Sequence, residues 1–541
     1  MEAGQGKPFQ VVYNWVKPNI DSFLGLQKPK LWAMALLAGI AGALVSIAFR
    51  QAIGLVQWLW TGTTSEIYLD KLATLPWWTV LLAPTLGGFV VGLILLAWGP
   101  TERAGAVADV IEERAQGSER LNFKRASIST LVSLVTLGSG GSAGREGPVV
   151  YYAAAVAKSL FSFFELPPSA RRIMLAAGVA AAISASFNAP IAGVLFAHEV
   201  ILGHFAMAAF VPLVIAAALA FVLAGIWFGN APIFILPDFH IASMFEMPAF
   251  ALLGLTCAIV AVLFQASLVG SDWINRRLNF PTLIRPMLGG FLVGMIALLY
   301  PEVLGVGYEA TESAISNRLG IGLLLGLIIA KTAATAITLG SGMGGGVFSP
   351  SLYLGAMTGA AFGIIASGFF PEFASTPSLY AIIGMGAVAA AVLGAPVSTT
   401  VMIFELTGSF SFSIAVLLAV SISTGISQTF MGRSFFFWQL YSRGIMLEEG
   451  PHTHLAKQVF VGNLMKPFDP DINPPPLDPS RIWLRENDNL ADALKAFSNS
   501  GKTRILVTCT KDNTPCGWIY HVDALSNFNE ALVEKSREEH C

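Results

Sequence analysis

Apolar stretches fill most of the chain from residue 31 to residue 430, and clusters of Gly and Pro separate them. They occupy about 31–60, 77–98, 126–137, 149–164, 172–187, 190–202, 207–228, 247–270, 284–300, 319–338, 350–370, 379–394, 396–407 and 411–430. Several are shorter than the roughly 20 residues that a helix needs to cross a bilayer. Irregular backbone survives at that depth only inside protein or around a water-filled cavity. The pattern predicts a polytopic membrane protein with half-spanning helices, as in transporters and channels.

The composition agrees with this prediction. Of the 541 residues, 54% are hydrophobic and 12% are charged, and the mean hydropathy is +0.65. A soluble chain carries about 25% charged residues, so soluble, fibrous and disordered proteins are excluded. The net charge of −2 offers no positive surface for nucleic acid. The scattered cysteines, at positions 257, 509, 516 and 541, predict neither a disulfide framework nor a zinc cluster.

Composition divides the chain into three parts. Residues 1–30 are lysine-bearing and lack an apolar core, which predicts a cytoplasmic N-terminal segment and not a cleavable signal peptide. Residues 31–450 form the predicted transmembrane domain, with halves at about 31–230 and 247–430. Residues 451–541 are polar and form a linker and a small cytoplasmic domain.

The polar tail contains its own elements. Pro467 to Pro479 is a proline-rich linker. The apolar residues from Leu490 to Phe497 have helical spacing, and residues 505–507 and 518–520 form predicted strands. A helix followed by two strands buries little core at this size, so we expect the tail to dock on another surface.

An internal repeat relates the two halves. Thr136-Leu-Gly-Ser-Gly140 recurs as Thr338-Leu-Gly-Ser-Gly342, and Gly144 and Pro148 then align without a gap with Gly346 and Pro350. Ala189, Pro190 and Glu199 likewise match the later residues Ala395, Pro396 and Glu405. Repeats of this kind place the substrate site between the halves, near the middle of the bilayer.

The repeated element is a Gly-rich stretch that runs into a helix, at 138–148 and again at 340–350. Glycine lets the backbone approach a ligand closely, and a helix start presents unpaired N–H groups at the positive end of its dipole. Two such starts can converge on one dehydrated anion. No lysine follows these glycines, which argues against a nucleotide P-loop. Close helix packing through small residues is the structural alternative.

Glu146 stands within the first of these stretches. A carboxylate inside a membrane span is costly and is therefore a functional candidate. An ionised Glu146 would compete with the anion for its place, and protonation would release it, so the residue is a predicted gate. The alternative is a structural pair with Arg145, although adjacent residues of a helix point about 100° apart.

These residues resemble the CLC family of chloride channels and chloride/proton antiporters. Gly144-Arg-Glu-Gly-Pro148 resembles the family motif GREGP, and Gly345-Gly-Val-Phe-Ser-Pro350 resembles GGxFxP. The resemblance implies an all-α CLC fold of two inverted halves, a homodimer with one pore in each subunit, and a small α/β tail. It also makes Glu146 the gating glutamate. By the same resemblance, the anion-coordinating backbone amides are those of Arg145, Glu146, Gly147, Val347 and Phe348.

The chain departs from the family pattern at the central anion site. Gly105 stands where the family's GSGIP motif has its serine, and Phe436 stands where the central tyrosine is usual. Backbone amides at Gly105, Val347 and Phe348 remain available for coordination. Each lost neutral donor is worth about 0.5–1.5 kcal/mol, so the resemblance predicts weaker central binding.

A third departure concerns protons. The family's internal proton glutamate aligns with Val200, and the preceding Glu199 is retained. Valine carries no proton, and family members with valine here are typically channels, so we expect a proton-uncoupled chloride channel. A chloride/proton antiporter whose altered proton path uses His198 or Glu199 is the alternative.

An intramembrane metalloprotease is a distant alternative. His198-Glu199 begins a run that is similar to the zinc motif HExxH. The second histidine is His204, six residues along and about 240° round a helix, so the two rings do not share a face. We therefore expect no enzymatic activity, no metal and no cofactor, with chloride as the transported ligand.

The tail resembles a CBS domain. Val461-Gly-Asn-Leu-Met465 opens it, and Gly517-Trp-Ile-Tyr-His-Val-Asp523 is similar to the closing motif, with Tyr520 in place of the usual Ser or Thr. One repeat is evident, whereas an adenosine-nucleotide cleft usually needs two. We expect the tail to stabilise a homodimer, with nucleotide binding at Asp523 as the alternative. The expected location is a bacterial inner membrane with both termini cytoplasmic.

Overall fold

The computed structural model describes residues 12–18, 20, 28–98, 104–117, 121–164, 166–229, 234, 244–278, 280–372, 374–408, 410–445, 447, 459–468, 483–509 and 514–540. The chain forms two compact units. The larger comprises residues 1–205 and 209–442, and the smaller comprises residues 443–541 together with 206–208.

Helices make up the larger unit. Their bounds are Lys28–Thr61, Leu69–Thr74, Trp77–Trp98, Val107–Gln116, Phe123–Gly138, Glu146–Phe161, Pro168–Phe187, Pro190–Phe196, Met207–Phe228, Met247–Leu278, Ile284–Leu299, Tyr308–Ile315, Ile321–Gly340, Phe348–Phe369, Pro377–Leu393, Pro396–Thr407, Ser413–Met431 and Phe435–Tyr441. A π-helical segment, Ala197–Leu202, continues the helix that begins at Pro190.

Eight of the helical segments are long and apolar enough to cross a membrane. This confirms the prediction of a polytopic all-α membrane protein. The predicted short helices are also present: Phe123–Gly138 and Glu146–Phe161 have 16 residues each. At 1.5 Å per residue they are about 24 Å long, which is less than the roughly 30 Å of a hydrocarbon core.

Each half contains the same helix-turn-helix element, with the same type of turn and the same helix start. Pro168–Phe187 ends at Asn188 in the left-handed conformation (φ 55°), and Pro377–Leu393 ends at Gly394 in the same conformation (φ 67°). The following helices begin at Pro190 and Pro396, where proline occupies the first helical position and loses no hydrogen bond. The repeat seen in the sequence is therefore a structural repeat.

Small residues bring the helices of the core into close contact. Every residue of Pro377–Leu393 after Pro377 is buried. A Cβ atom on Gly359 would lie 2.0 Å from the carbonyl oxygen of Tyr380, so only glycine fits where these helices cross. The structural alternative for the Gly-rich stretches also holds within them, since a Cβ on Gly138 would lie 2.5 Å from Val56 and one on Gly344 would lie 2.3 Å from the hydroxyl of Ser133.

The smaller unit contains a four-stranded sheet in the order β1-β4-β3-β2. The strands are β1 Lys466–Pro467, β2 Trp483–Arg485, β3 Arg504–Thr508 and β4 Pro515–Tyr520, with helices Val461–Leu464, Leu490–Ser500 and His521–His540. The predicted helix and both predicted strands are confirmed, and β1 and β2 are additional. The tail has a hydrophobic core cluster of its own, which includes Phe497, Ile505 and Ile519.

Two further contacts involve this sheet. One links β3 to β4, and the other links β1 to the helix His521–His540. Cys509 and Cys516 form a disulfide across the β3–β4 hairpin, with their Cα atoms 5.6 Å apart. The spacing of the cysteines did not predict this pair, because it depends on the register of the β3–β4 hairpin, which brings the two residues together. Lys466 contacts Asp523 with a separation of 2.7 Å between Nζ and Oδ2. The hydrogen bond from Lys466 to Asp523 raises the pKa of the lysine.

Candidate anion site

The two Gly-rich stretches meet at their equivalent glycines. The N–H of Gly144 donates to the carbonyl of Gly346, and the N–H of Gly346 donates to the carbonyl of Gly144, both at 2.7 Å. This isolated antiparallel bridge ties the start of Glu146–Phe161, the Glu146 helix, to the start of Phe348–Phe369, the Phe348 helix. The predicted convergence of two helix starts is therefore present.

Each helix start presents free donors at its positive end. Glu146 and Gly147 begin one helix, and Phe348 and Ser349 begin the other. The first N–H groups of a helix have no partner within it, and Pro148 and Pro350 stand at the third position, where a missing N–H costs nothing. Together the dipoles and amides favour an anion without any cationic side chain.

One cavity, here called the pore cavity, brings together most of the residues that the family resemblance assigns to anion binding. Its walls include Glu146, Gly147, Val347, Phe348 and Phe436. Arg145 does not line it. An anion in this cavity would face backbone amides and aromatic edges.

The carboxylate of Glu146 is held by two hydroxyls. The hydroxyl of Ser349 donates to Oε1 at 2.6 Å, and the hydroxyl of Tyr308 donates to the same oxygen at 2.9 Å. Glu146 is 1% exposed, and its Oε2 has no hydrogen-bond partner. Glu146 thus lines the pore cavity, next to the helix-start amides that favour an anion.

Arg145 lines a second cavity and does not line the pore cavity. This vestibule is lined by Arg50, Glu66, Arg145, Tyr308 and Glu309, among other residues. The guanidinium of Arg145 donates to the Glu66 carboxylate and, at 3.2 Å, to the carbonyl of Ser186. Its Nε lies 3.9 Å from Oε1 of Glu146 and makes no hydrogen bond. Arg145 therefore forms its hydrogen-bonded ion pair with Glu66, and its ion pair with Glu146 is a longer one without a hydrogen bond.

Two guanidinium groups surround Glu66, since Arg50 also donates to it at 2.9 Å through Nε. Burial alone would raise the pKa of Glu66, but the guanidinium groups of Arg145 and Arg50 outweigh burial and lower that pKa. The two guanidinium groups therefore favour the ionised form of Glu66, and its carboxylate fixes the side chain of Arg145.

Gly105 does not present a free amide. Its N–H donates to the hydroxyl of Ser129 at 2.6 Å, and a Cβ at this position would lie 2.3 Å from the ring of Tyr151. The neighbouring N–H of Ala106 donates to Asp109 at 2.7 Å. Val107, the first residue of the next helix, lines the pore cavity instead. The expected coordination by the Gly105 amide is corrected accordingly, because a local serine occupies the donor.

Several aromatic side chains line or pack beside the pore cavity. Phe436 is buried and lines the pore cavity, as the sequence predicts, and it brings no hydroxyl. The ring of Phe348 packs against Phe187 and Phe196, with centroids 4.8 Å and 5.9 Å apart. Gln439, one turn after Phe436, also lines the cavity, and its side-chain oxygen has no partner.

The residues of the altered proton path lie in the π-helical segment. Val200 is buried there. Both oxygens of Glu199 accept backbone N–H groups, from Val397 at 3.0 Å and Ser398 at 2.8 Å. His198 is 2% exposed and its ring stacks on Phe205, with centroids 5.6 Å apart. Glu199 is thus committed to capping the helix that begins at Pro396.

The two histidines of the zinc-like run face carbonyl groups. Nδ1 of His198 lies 3.4 Å from the carbonyl oxygen of His204, and Nδ1 of His204 lies 3.0 Å from that of Leu202. Within the described part of the chain, no group of three or more His, Cys, Asp or Glu residues is placed to hold a metal ion.

Sequence reasoning missed Tyr308 and Ser349. Ser349 occupies the second of the two variable positions of the motif Gly345–Pro350, and Tyr308 follows two closely spaced glycines in a polar gap between apolar stretches. A hydroxyl at a variable position beside the gate was the available signal. The contact between the two residues depends on the crossing of the halves, which local pattern does not reveal.

Comparison with known proteins identifies the family. The sequence profile of the voltage gated chloride channel family matches residues 87–428. The chain is 35% identical over 394 residues to the putative chloride channel protein ClcB-like of Ralstonia nicotianae, covering 72% of this chain and 91% of the relative. It is 30% identical over 405 residues to the voltage-gated ClC-type chloride channel ClcB of Escherichia coli K12, covering 73% and 95%. The protein belongs to the CLC family of chloride transport proteins.

Solved structures show the same fold. A slow cyanobacterial Cl⁻/H⁺ antiporter superposes with a TM-score of 0.68 at 22% identity and covers 77% of this chain and 98% of its own. A eukaryotic CLC transporter reaches 0.68 at 18% identity, with 92% and 98% covered. A CLC-type fluoride/proton antiporter reaches 0.61 at 20% identity, with 74% and 98% covered. These likenesses confirm the predicted CLC fold.

Proposed function

We propose that this protein conducts chloride passively through a pore gated by Glu146, without stoichiometric exchange for protons. The gate carboxylate stands among amides that attract an anion, so chloride and the carboxylate compete for one place. Protonation removes the charge of Glu146 and lets the anion take that place.

The two hydrogen bonds that Glu199 accepts are the observation that supports conduction without proton coupling. A coupled cycle needs a titratable group that passes protons towards Glu146. Val200 cannot titrate, and both oxygens of Glu199 already accept N–H groups of Val397 and Ser398. Using Glu199 as a relay would uncap a helix.

The pore cavity supports the same conclusion. Phe436 brings no hydroxyl to it, and the Gly105 amide is bonded to Ser129. Weak central binding lets an ion pass without waiting for a proton. The passive cycle therefore needs only the release of Glu146.

Reversal potentials test the proposal. Protein in liposomes is given a chloride gradient and, separately, a pH step. A passive channel stays at the chloride equilibrium potential whatever the pH step. A reproducible shift with pH, or uphill proton movement driven by chloride, would contradict it.

Chloride/proton antiport is the second candidate, and His198 is the observation that favours it. The imidazole is buried next to Glu199 on the segment that also carries Val200. If the reversal potential does shift, His198→Ala abolishes the shift under this hypothesis. The same variant leaves a passive channel at the chloride potential.

We further infer a homodimer, with the tail stabilising it, in a bacterial inner membrane with both termini cytoplasmic. The homodimer is typical of CLC proteins. In the tail, the carboxylate of Asp523 is paired with Lys466, which argues against a ribose partner there. Cross-linking in native membranes tests the dimer, and binding of radiolabelled ATP to the full chain tests the nucleotide alternative.

A further inference from the structure

We propose that the hydroxyls of Tyr308 and Ser349 form the side-chain donor pair of an anion subsite at the gate. They hold the Glu146 carboxylate when the gate is closed and a halide ion when the carboxylate leaves. This inference rests on the proposed permeation of chloride past Glu146 and names two residues that select the ion there.

The geometry points both donors at one position. The hydroxyls donate to the same carboxylate oxygen at 2.6 Å and 2.9 Å, and their own oxygens are 3.5 Å apart. A carboxylate oxygen and a halide are both compact acceptors of negative charge. The place that Oε1 of Glu146 now fills is therefore also suited to a halide.

The Tyr308 hydroxyl is preorganised by its surroundings. The guanidinium of Arg145 lies over its ring, 5.0 Å from the centroid, and the ring of Phe234 meets it edge-on at 6.2 Å. The buried Lys331 donates to the carbonyls of Val303 and Gly305, at 3.0 Å and 2.9 Å, and so fixes the loop that precedes Tyr308. The donor stays in place when the carboxylate moves.

Ser349 is fixed by the fold as well. It is the second residue of the Phe348 helix and is 3% exposed, so its hydroxyl finds few other partners. A buried donor without an acceptor is costly, which favours an anion in the place of the departed carboxylate. The amide of Ser349 belongs to the same unpaired first turn and adds to the attraction.

The subsite offsets the loss of hydroxyl donors at positions 105 and 436. Gly105 and Phe436 supply no hydroxyls, whereas Tyr308 and Ser349 supply two at the gate. Tyr308 and Ser349 thus supply at the gate the hydroxyl donors that positions 105 and 436 lack. Hydroxyl donors favour chloride over larger, weakly hydrated anions because the smaller ion makes stronger hydrogen bonds.

The test measures chloride flux in liposomes against chloride concentration, in the Glu146→Ala background that leaves the subsite open. Tyr308→Phe and Ser349→Ala are each expected to raise the half-saturating chloride concentration about threefold, and together about tenfold. Both should also raise the permeability of thiocyanate relative to chloride.

Two substitutions in the Phe348 helix serve as matched controls. Tyr353→Phe removes a phenolic hydroxyl that has no partner, and Ser351→Ala removes a hydroxyl that bonds only a backbone carbonyl, that of Phe348. Neither should change half-saturation or selectivity. Equal shifts in the test and control variants would overturn the proposal.

An effect confined to the protein with an intact Glu146 would also overturn it, since the hydroxyls would then hold only the carboxylate. Tyr308→Phe keeps the ring between Arg145 and Phe234, so it decides the matter if Ser349→Ala fails to accumulate. The readout is chloride saturation and not proton movement. Failure here is therefore separable from a pH-dependent reversal potential, which concerns the proposed function.

Discussion

Glu199 of the first half caps a helix of the second half, and Glu405 of the second half caps a helix of the first. Glu199 accepts the N–H groups of Val397 and Ser398, and Glu405 accepts those of Ile191 and Ala192 at 2.9 Å and 2.7 Å. Each carboxylate lies at the positive end of a helix, where negative charge is stabilising. The pair explains why both halves retain a glutamate at the same place in the repeat.

The reciprocal caps make the two glutamates matched probes. Glu199→Gln and Glu405→Gln should each lower the melting temperature of the detergent-solubilised protein, consistent with a loss of about 1 kcal/mol per weakened cap. Neither should change the reversal potential. A change in proton coupling with Glu199→Gln alone would mean that Glu199 is a relay as well as a cap.

Neutralising the gate should remove the pH dependence of chloride flux. Glu146→Gln keeps the shape of the side chain but has no charge to compete with the anion, so flux should stay high and flat as the pH is varied. Flux from liposomes over a pH series measures this. Full retention of the parent's pH response would show that the gate is another residue.

Restoring a hydroxyl at Phe436 should tighten chloride binding. Phe436→Tyr adds one donor to the pore cavity, and a net gain of about 0.7 kcal/mol corresponds to roughly threefold in affinity. Calorimetry on the detergent-solubilised variant measures it. Gly105→Ser is unsuitable as a companion because its Cβ would meet the Tyr151 ring at 2.3 Å. Unchanged affinity would mean that residue 436 does not face the ion.

The Glu66 carboxylate should make stability depend on acid. Because the nearby guanidinium groups lower its pKa, its contribution is fully present above the ordinary carboxylate pKa of 4.5 and is lost as the pH falls through the lowered value. Glu66→Gln should therefore lower the melting temperature near pH 7, consistent with about 1 kcal/mol or less, because the Glu66 side chain is 37% exposed and solvent screens the ion pairs. The difference from the parent should shrink at pH 3.5. A constant difference across this range would refute the assignment.

Sequence pattern predicted the parts of this structure that local chemistry determines. The repeat aligned Gly144 with Gly346 and Glu199 with Glu405 in the sequence. In the structure the two glycines pair with each other, and each glutamate caps a helix of the other half. The fate of Gly105 was not predictable. Whether an amide faces an ion or a serine depends on where Ser129 comes to lie, and nothing in the spacing of the two residues indicates that they meet. Tyr308 was missed for the same reason, since its partner is 162 residues away.

The bridge between Gly144 and Gly346 limits which motions can carry an ion through the protein. Both hydrogen bonds join backbone to backbone at the interface of the halves, so a rocking motion of one half against the other would break them. Alternating access by rigid-body rotation is therefore disfavoured. Under the proposed function, the part that moves is the Glu146 side chain, and side-chain rotamers exchange far faster than whole bundles reorient. Under the same proposal, the scaffold around the two glycines stays in place while an ion passes.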